Sequence, residues 1–153
     1  MIRSCKRNMI LLICIVCAFL SCSKEADFGT RGKWQKYDQD DVATFFFDKS
    51  SVAKIGSNGI HVWDYMALSQ GFSEELGKAL PELSGAAHIL SHVKIDCQEN
   101  LYSQLRIIYY NKERKLMSDS QRDGKDLSPI ANRPIPEGSP MDTLSKIMCK
   151  MPK

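Results

Sequence analysis

Apolar and polar residues alternate most clearly over His92–Gln98, and this alternation constrains the fold more than any other feature of the sequence. Val93, Ile95 and Cys97 share one side of the segment, and polar residues occupy the other. A period of two is the repeat of a half-buried β-strand. Two polar residues then lead into Leu101–Tyr110, which predicts a second long strand. Because sequential strands joined by tight turns run antiparallel, this pair predicts an antiparallel meander.

Further strands are predicted on either side of this pair, in segments rich in β-branched and aromatic residues. The segment Gly56–Gly59 (GSNG) is a strong hairpin signal between two of them. The further predicted strands are Trp34–Tyr37, Val42–Asp48, Ser51–Ile55, Gly59–Ala67 and Lys115–Ser118.

A helix is predicted at the carboxyl end of the chain, after a stretch whose prolines exclude regular helix. Ser139 is a good N-cap residue, and Pro140 suits the first helical position. The apolar face of this helix is formed by Leu144, Ile147, Met148 and Met151. The sequence therefore predicts an α+β fold: an antiparallel meander sheet of about six strands with a C-terminal helix packed on one face.

The sequence pattern does not fully assign the secondary structure of the connection Leu68–Ser91. Ser73 followed by two glutamates and an apolar pattern predicts a short capped helix, which Pro81 stops. Leu83–Leu90 is then either a further turn of helix or an irregular crossover.

The amino-terminal segment is read as an export signal rather than as part of the fold. Residues 1–21 hold three basic side chains and no acidic one, and the apolar run Met9–Leu20 follows them. A retained transmembrane anchor is the alternative, but the run is shorter than the roughly 20 residues that a span needs. The predicted organisation is a lipoprotein signal peptide at 1–21, a flexible tether at 22–32 and one domain at 33–153.

Cys22 is predicted to carry a lipid, because a serine directly precedes it at the end of the apolar run. This arrangement resembles the lipobox of bacterial lipoproteins, whose cysteine becomes the acylated mature N-terminus. Phe19 and Leu20 depart from that pattern, which prefers leucine and a small residue there. Ordinary signal cleavage after Ala18 or Ser23 is the alternative. Several acyl chains on Cys22 would hold the protein at the outer membrane, whereas a single chain binds only marginally.

Removal of the signal peptide changes both the charge and the cysteine count. It removes three of the 21 basic residues and none of the 18 acidic ones, so the mature chain is formally neutral. A neutral chain argues against a nucleic-acid partner. With Cys22 acylated, Cys97 and Cys149 remain of the six cysteines. In an oxidising compartment two cysteines most simply form one disulfide; a thiol nucleophile and a pair of metal ligands are the alternatives.

Chemical sites are not indicated by any motif. His88 and His92 have helical spacing, but His92 lies in a predicted strand and no third metal ligand has motif spacing. The segment Asp119–Gly124 is similar to the start of a calcium loop, yet its third position is the neutral Gln121 and its twelfth is Ile130, so a solvated Asp-Gly turn is predicted. Neither a nucleophile elbow nor a phosphate-binding glycine loop occurs. We therefore expect no catalytic residue, no cofactor and no metal.

Aromatic residues point to both faces of two predicted strands, at Phe45–Phe47 and at Tyr109 and Tyr110. One face must be buried in the core, and the other meets solvent or a partner. Uncovered aromatic side chains on an open sheet would form a protein-binding patch. The alternative is that the connection Leu68–Ser91 covers that face.

Taken in order, these segments resemble the surface-adhesin protein E-like family of bacterial outer-membrane lipoproteins over about residues 33–150. The resemblance rests on Lys33-Trp34, Ile60–Trp63, Val93–Cys97, Ile135–Ser139 and Cys149. Two features depart from the family: Leu127 stands near the place of a frequent tryptophan, and the connection Leu68–Ser91 is longer than usual.

The resemblance implies a disulfide between Cys97 and Cys149 and an antiparallel sheet flanked by a C-terminal helix. The best-known member of the family binds host extracellular-matrix and serum proteins. The implied function is a lipid-anchored, non-catalytic, adhesin-like module for host matrix or envelope proteins, attached to the membrane through its N-terminus. A periplasm-facing structural or assembly lipoprotein is the alternative, because a fold does not fix a function.

Overall fold

The computed structural model describes residues 32–121 and 131–151, and within them eight strands and two α-helices form one α+β unit. Cys22 and the predicted signal peptide lie outside the described residues. The strands are β1 (Trp34–Gln39), β2 (Ala43–Asp48), β3 (Ala53–Ile55), β4 (Gly59–Leu68), β5 (Ala86–Asp96), β6 (Leu101–Asn111), β7 (Leu116–Asp119) and β8 (Arg133–Pro134); the helices are α1 (Gln70–Ala79) and α2 (Pro140–Lys150).

All strand pairs are antiparallel, and the main order across the sheet is β1-β2-β4-β5-β6-β7. Two short strands lie off this path: β3 pairs with the start of β4, and β8 pairs with the start of β6. The sheet is thus six strands wide, with β3 continuing the line of β2 and β8 that of β7. The predicted antiparallel α+β fold is confirmed.

The C-terminal helix α2 packs on the sheet as its apolar pattern predicts. Ser139 caps it, and the serine Oγ accepts a hydrogen bond from the Asp142 backbone N–H at 3.2 Å. Leu144 and Met148 are fully buried in a cluster with residues of β2, β4 and β5, including Val62 and Val93. Burying a side chain of this size contributes about 1.5–3 kcal/mol, so the sheet holds the helix mainly through these contacts.

Helix α1 starts earlier than the sequence predicts. Its N-cap is Ser69, whose Oγ accepts a hydrogen bond from the Phe72 backbone N–H at 3.3 Å. Ser73, the predicted cap, instead donates its hydroxyl to the carbonyl of Ala86. Within the turn that follows, a short 3₁₀ helix spans Pro81–Leu83.

The remainder of the connection corrects the sequence prediction, because Ala86–Leu90 is the first half of strand β5 rather than a helical turn or an irregular crossover. Four of its five side chains are buried, on both faces of the sheet. A strand buried on both faces has no alternation of apolar and polar residues, so the period that identifies a strand is absent here.

Both helices lie on the same side of the sheet, which we call the helix face. Leu76, Leu80 and Leu83 pack there against Ile89 and Tyr109. The side chains of β4 at even numbers point to this face, under α2 at one end and under α1 at the other. The helical part of the connection Leu68–Ser91 therefore packs on the helix face and not on the opposite face.

A disulfide joins Cys97, directly after β5, to Cys149 in α2. The two Cα atoms are 5.6 Å apart, and 52 positions separate them in sequence. Cys97 also packs against the cluster beneath α2. The bond thus ties the C-terminal helix to the end of a central strand.

Candidate functional site

The face opposite the helices carries both tryptophans and all three histidines of the chain. We call it the aromatic face. It is built on the odd-numbered side chains of β4, which alternate with the buried ones of the helix face. Its ring-bearing members on the first four strands of the sheet order are Trp34, Phe46, His61, Trp63, Tyr65, His88 and His92.

Cross-strand pairing places these rings in contact. Phe46 lies opposite Tyr65, and their stacked ring centroids are 5.3 Å apart. Trp63 lies opposite His92, stacked at 4.9 Å. His61 meets the edge of His92 at 5.1 Å. Such aromatic pairs contribute about 0.5–1.5 kcal/mol beyond their buried area, so neighbouring rings fix one another in place.

The rings lie partly exposed over a small apolar floor. Leu90, Ile108 and Tyr110 form this floor, and Trp63 and Tyr65 pack against it. Within residues 32–121 and 131–151, this cluster contains side chains of strands alone, whereas the other two apolar clusters include helix side chains. The described helices therefore leave the aromatic face uncovered, as the binding-patch hypothesis requires.

The pKa values of the three histidines of the aromatic face are all lowered, which favours the neutral imidazole. Burial lowers the pKa of His61, and Lys94, its cross-strand partner, lowers it further. Burial also lowers the pKa of His92, helped by His61 and by Arg106 opposite it in β6.

His88 is hydrogen-bonded to the Tyr65 hydroxyl and is not positioned as a metal ligand. Its Nδ1 lies 3.0 Å from the hydroxyl of Tyr65. Burial, and then the charge of Arg114, lowers the pKa of His88. His92 contacts Trp63 and His61 instead, so the two histidines with helical spacing do not converge on one point. In the described part of the chain, no three His, Cys, Asp or Glu side chains are grouped to hold a metal ion.

Asp119, the first residue of the calcium-like segment, is engaged within the fold. It ends β7 and is 5% exposed, and its Oδ1 accepts a hydrogen bond from Arg106 Nε at 3.0 Å. A second bond joins the other oxygen to the guanidinium, and this two-point contact raises the pKa of Arg106. The remainder of the calcium-like segment, from residue 122 onward, lies outside the described residues.

A sequence model of the surface-adhesin protein E family matches residues 34–150. The chain belongs to the surface-adhesin protein E family. The matched region runs from the first residue of β1 to the last residue of α2, so the aromatic face and the disulfide both lie inside the family's domain. Membership of this family supports an adhesin-like role at the cell surface or in the envelope. A search of curated proteins and a search of solved structures each return no significant match.

Cys22, the predicted lipid-anchoring residue of this surface-adhesin protein E member, lies outside the described residues. Among the helices that the structure describes, none has the length and apolar content needed to cross a bilayer. The structure brings the other two proposed site residues, Cys97 and Cys149, together in the disulfide.

One buried acid was not singled out by the sequence analysis. Asp64 lies on the helix face of β4, is 4% exposed, and accepts a hydrogen bond from the Tyr37 hydroxyl at 3.0 Å. Burial raises its pKa to about 7, although the bonds from Tyr37 and from the Tyr65 backbone N–H act in the opposite direction. The alternation of β4 could have identified it, because Asp64 occupies one of the positions that this alternation assigns to the core.

Asp64 has a structural rather than a ligand-binding position in this family member. Ser91, its cross-strand neighbour in β5, is 1% exposed. Together they separate the apolar cluster beneath α2 from the one beneath α1. An acid so deeply enclosed cannot meet an external partner, so the aromatic face remains the candidate site.

A shallow cleft of about 380 Å³ lies between the start of α1 and the start of β5. Ser69, Ser73 and Gly85 contribute to its wall, with Glu74 and Lys112 at its charged positions. Ser73 is already bonded to a backbone carbonyl. The cleft lacks the apolar lining with a few convergent polar groups that is typical of a ligand site.

Proposed function

We propose that this protein is a lipid-anchored, non-catalytic adhesin-like module that binds a host or envelope protein through its aromatic face. The observation that carries the proposal is the concentration of both tryptophans and all three histidines on the sheet face opposite the described helices. Membership of the surface-adhesin protein E family supports the adhesin-like role.

The physical properties of this face suit protein recognition. Trp and Tyr residues dominate the binding energy of many interfaces, because they bury a large area at a small cost in side-chain entropy. Here the rings already pack on one another: Tyr65 contacts Trp34 at 5.5 Å and Phe46 at 5.3 Å. A pre-organised surface loses little further freedom on binding, which favours affinity.

The proposed anchor is Cys22, joined to the domain by the tether of residues 22–32. A metabolically incorporated alkyne analogue of palmitate should label the wild-type chain and leave the Cys22→Ala variant unlabelled. Equal labelling of both chains would contradict lipidation at this residue. Protease treatment of intact cells then separates two locations: a surface adhesin is cut, and a periplasm-facing structural or assembly lipoprotein is protected.

Binding is tested with the full-length protein in detergent against immobilised extracellular-matrix proteins and purified envelope proteins. Trp63→Ala should weaken saturable binding at least about tenfold, because truncating a hot-spot aromatic residue costs about 2 kcal/mol or more. Phe72→Ala in α1 is the matched control, since it removes a partly exposed aromatic ring away from the aromatic face. An absence of saturable binding to every protein tested, or equal losses in both variants, would refute the proposal.

A further inference from the structure

Tyr37 connects the edge strand β1 to the buried acid Asp64. The register of β1 against β2 shifts at this residue, so Tyr37 is the extra residue of a β-bulge. Its ring packs on the helix face against Phe45 and Phe47 of β2, at centroid distances of 6.0 and 6.2 Å. The hydroxyl reaches past β2 and donates to Asp64 Oδ1 on β4 at 3.0 Å. A carboxyl of an inner strand is thus bonded to a side chain of the outermost strand.

The surroundings of Asp64 offer its carboxylate no opposite charge. The groups that face it or its bonded neighbours from the adjacent strands are neutral or negative: Phe47 of β2, Ser91 of β5, Gln104 of β6 and Asp38 of β1. On α2, Lys146 forms its ion pair with Asp142. Within residues 32–121 and 131–151, no ion pair includes Asp64. Enclosure without a counter-charge favours the protonated carboxyl.

Strand β1 is the part of this environment that can most easily leave the sheet. It stands at one end of the strand order, and none of its six residues is buried. Edge elements with few buried contacts open locally at a lower free energy than the core. When β1 opens, Tyr37 leaves with it and water reaches Asp64, so the pKa of this carboxyl returns toward its ordinary value.

We infer that Asp64 is a proton-controlled switch for β1: the protonated carboxyl keeps the strand on the sheet, and ionisation favours its local opening. In the closed form, burial raises the pKa of Asp64 from 3.8 to about 7. A raised pKa stabilises the closed form fully below the ordinary value, and this stabilisation is lost as the pH rises through about 7. A shift of about three units corresponds to an increase of up to about a thousandfold in the open population.

Opening of β1 also changes the aromatic face, because Trp34 belongs to the same strand. Trp34 contacts Tyr65 at 5.5 Å, and Tyr65 directly follows Asp64 in β4. Local opening therefore removes one of the two tryptophans from that face. The inference does not depend on the proposed function, because it concerns the fold alone.

Hydrogen–deuterium exchange of the full-length protein in detergent, resolved by mass spectrometry, tests the switch. Exchange in a peptide that covers β1 is compared between wild type and Asp64→Asn at each pH, so that the intrinsic pH dependence of exchange cancels. The ratio of the wild-type rate to the variant rate should rise at least about a hundredfold between about pH 4 and about pH 8. A peptide around Val93, at the centre of β5, reports opening of the whole domain and should exchange far more slowly than β1.

Asp41→Asn is the matched control, because it removes an exposed acid from the turn between β1 and β2 and should leave the pH profile of β1 unchanged. Tyr37→Phe keeps the ring and the carboxyl but removes the hydroxyl that lowers the pKa of Asp64, so the rise in β1 exchange should extend to higher pH. Circular dichroism establishes that the variants are folded; if Asp64→Asn is not, the comparison of Tyr37→Phe with wild type decides.

Three results would each overturn the inference. The first is exchange of β1 as slow as that of the centre of β5, which would mean that the strand opens only with the whole domain. The second is a constant ratio between the wild-type and Asp64→Asn rates across the pH range. The third is a rise in Tyr37→Phe that ends at the same pH as in wild type.

Discussion

Replacement of Asp64 by asparagine is expected to remove a large part of the pH dependence of folding. The carboxyl is 4% exposed, and its pKa is raised from 3.8 to about 7. The native state therefore binds one more proton than the unfolded state between these two values. Because a raised native pKa stabilises the fold below the unfolded pKa, this stability is complete below about pH 4 and is lost as the pH rises through about 7.

The magnitude follows from the shift in pKa. A change of about three pKa units corresponds to about 4 kcal/mol, at about 1.4 kcal/mol per unit. Asparagine has nearly the same shape, can accept the Tyr37 hydrogen bond and does not ionise. Between about pH 4 and about pH 8 the wild-type protein should thus lose up to about 4 kcal/mol of unfolding free energy that the Asp64→Asn variant does not lose.

Urea unfolding, followed by tryptophan fluorescence at several pH values, measures this difference. Asp41→Asn is the matched control: Asp41 is exposed, and its variant should keep the wild-type pH profile. In Tyr37→Phe the transition should move to higher pH, because the lost hydroxyl no longer lowers the pKa of Asp64. A free-energy difference between Asp64→Asn and wild type that stays constant across the pH range would refute the reasoning.

Other perturbations have simpler expected outcomes. Replacing Cys97 and Cys149 together by serine should lower the unfolding free energy by about 4 kcal/mol, as loop-closure entropy predicts for 52 positions; an unchanged melting temperature would contradict this. Ser139→Ala should cost about 1 kcal/mol by removing the cap of α2, measurable by chemical denaturation. Asp119→Asn should cost about 1–2 kcal/mol through loss of the charged contact with Arg106, and the loss should shrink at high salt, whereas a salt-independent loss would argue against an electrostatic origin.

The elements that the sequence predicts well are those exposed on one face only. The second half of β5 and the helix α2 each bury one face, so their apolar residues repeat with the period of a strand or a helix. The start of β5 was missed because Ala86–Leu90 is buried on both faces and shows no alternation. The start of α1 was placed at Ser73, whereas Ser69 caps the helix; Ser73 bonds instead to the Ala86 carbonyl of β5, a tertiary contact that local sequence does not specify.

The candidate site was predictable in composition but not in arrangement. Alternation in β4 places Trp63 and Tyr65 on the face opposite the core. The contact between Trp63 and His92 depends instead on the register between β4 and β5, which local sequence does not specify. The burial of Asp119 likewise depends on Arg106, 13 positions away on the neighbouring strand.

The disulfide also has a consequence for the integrity of a cleaved chain. It closes a covalent ring that contains all of β6, β7 and β8. A single peptide-bond cut anywhere inside this ring opens it without separating the two pieces, because the sulfur bridge still connects them. With the N-terminus held by the lipid proposed at Cys22, both pieces of such a nicked molecule would stay on the membrane, and the C-terminal piece would separate only after reduction, as electrophoresis with and without reductant would show.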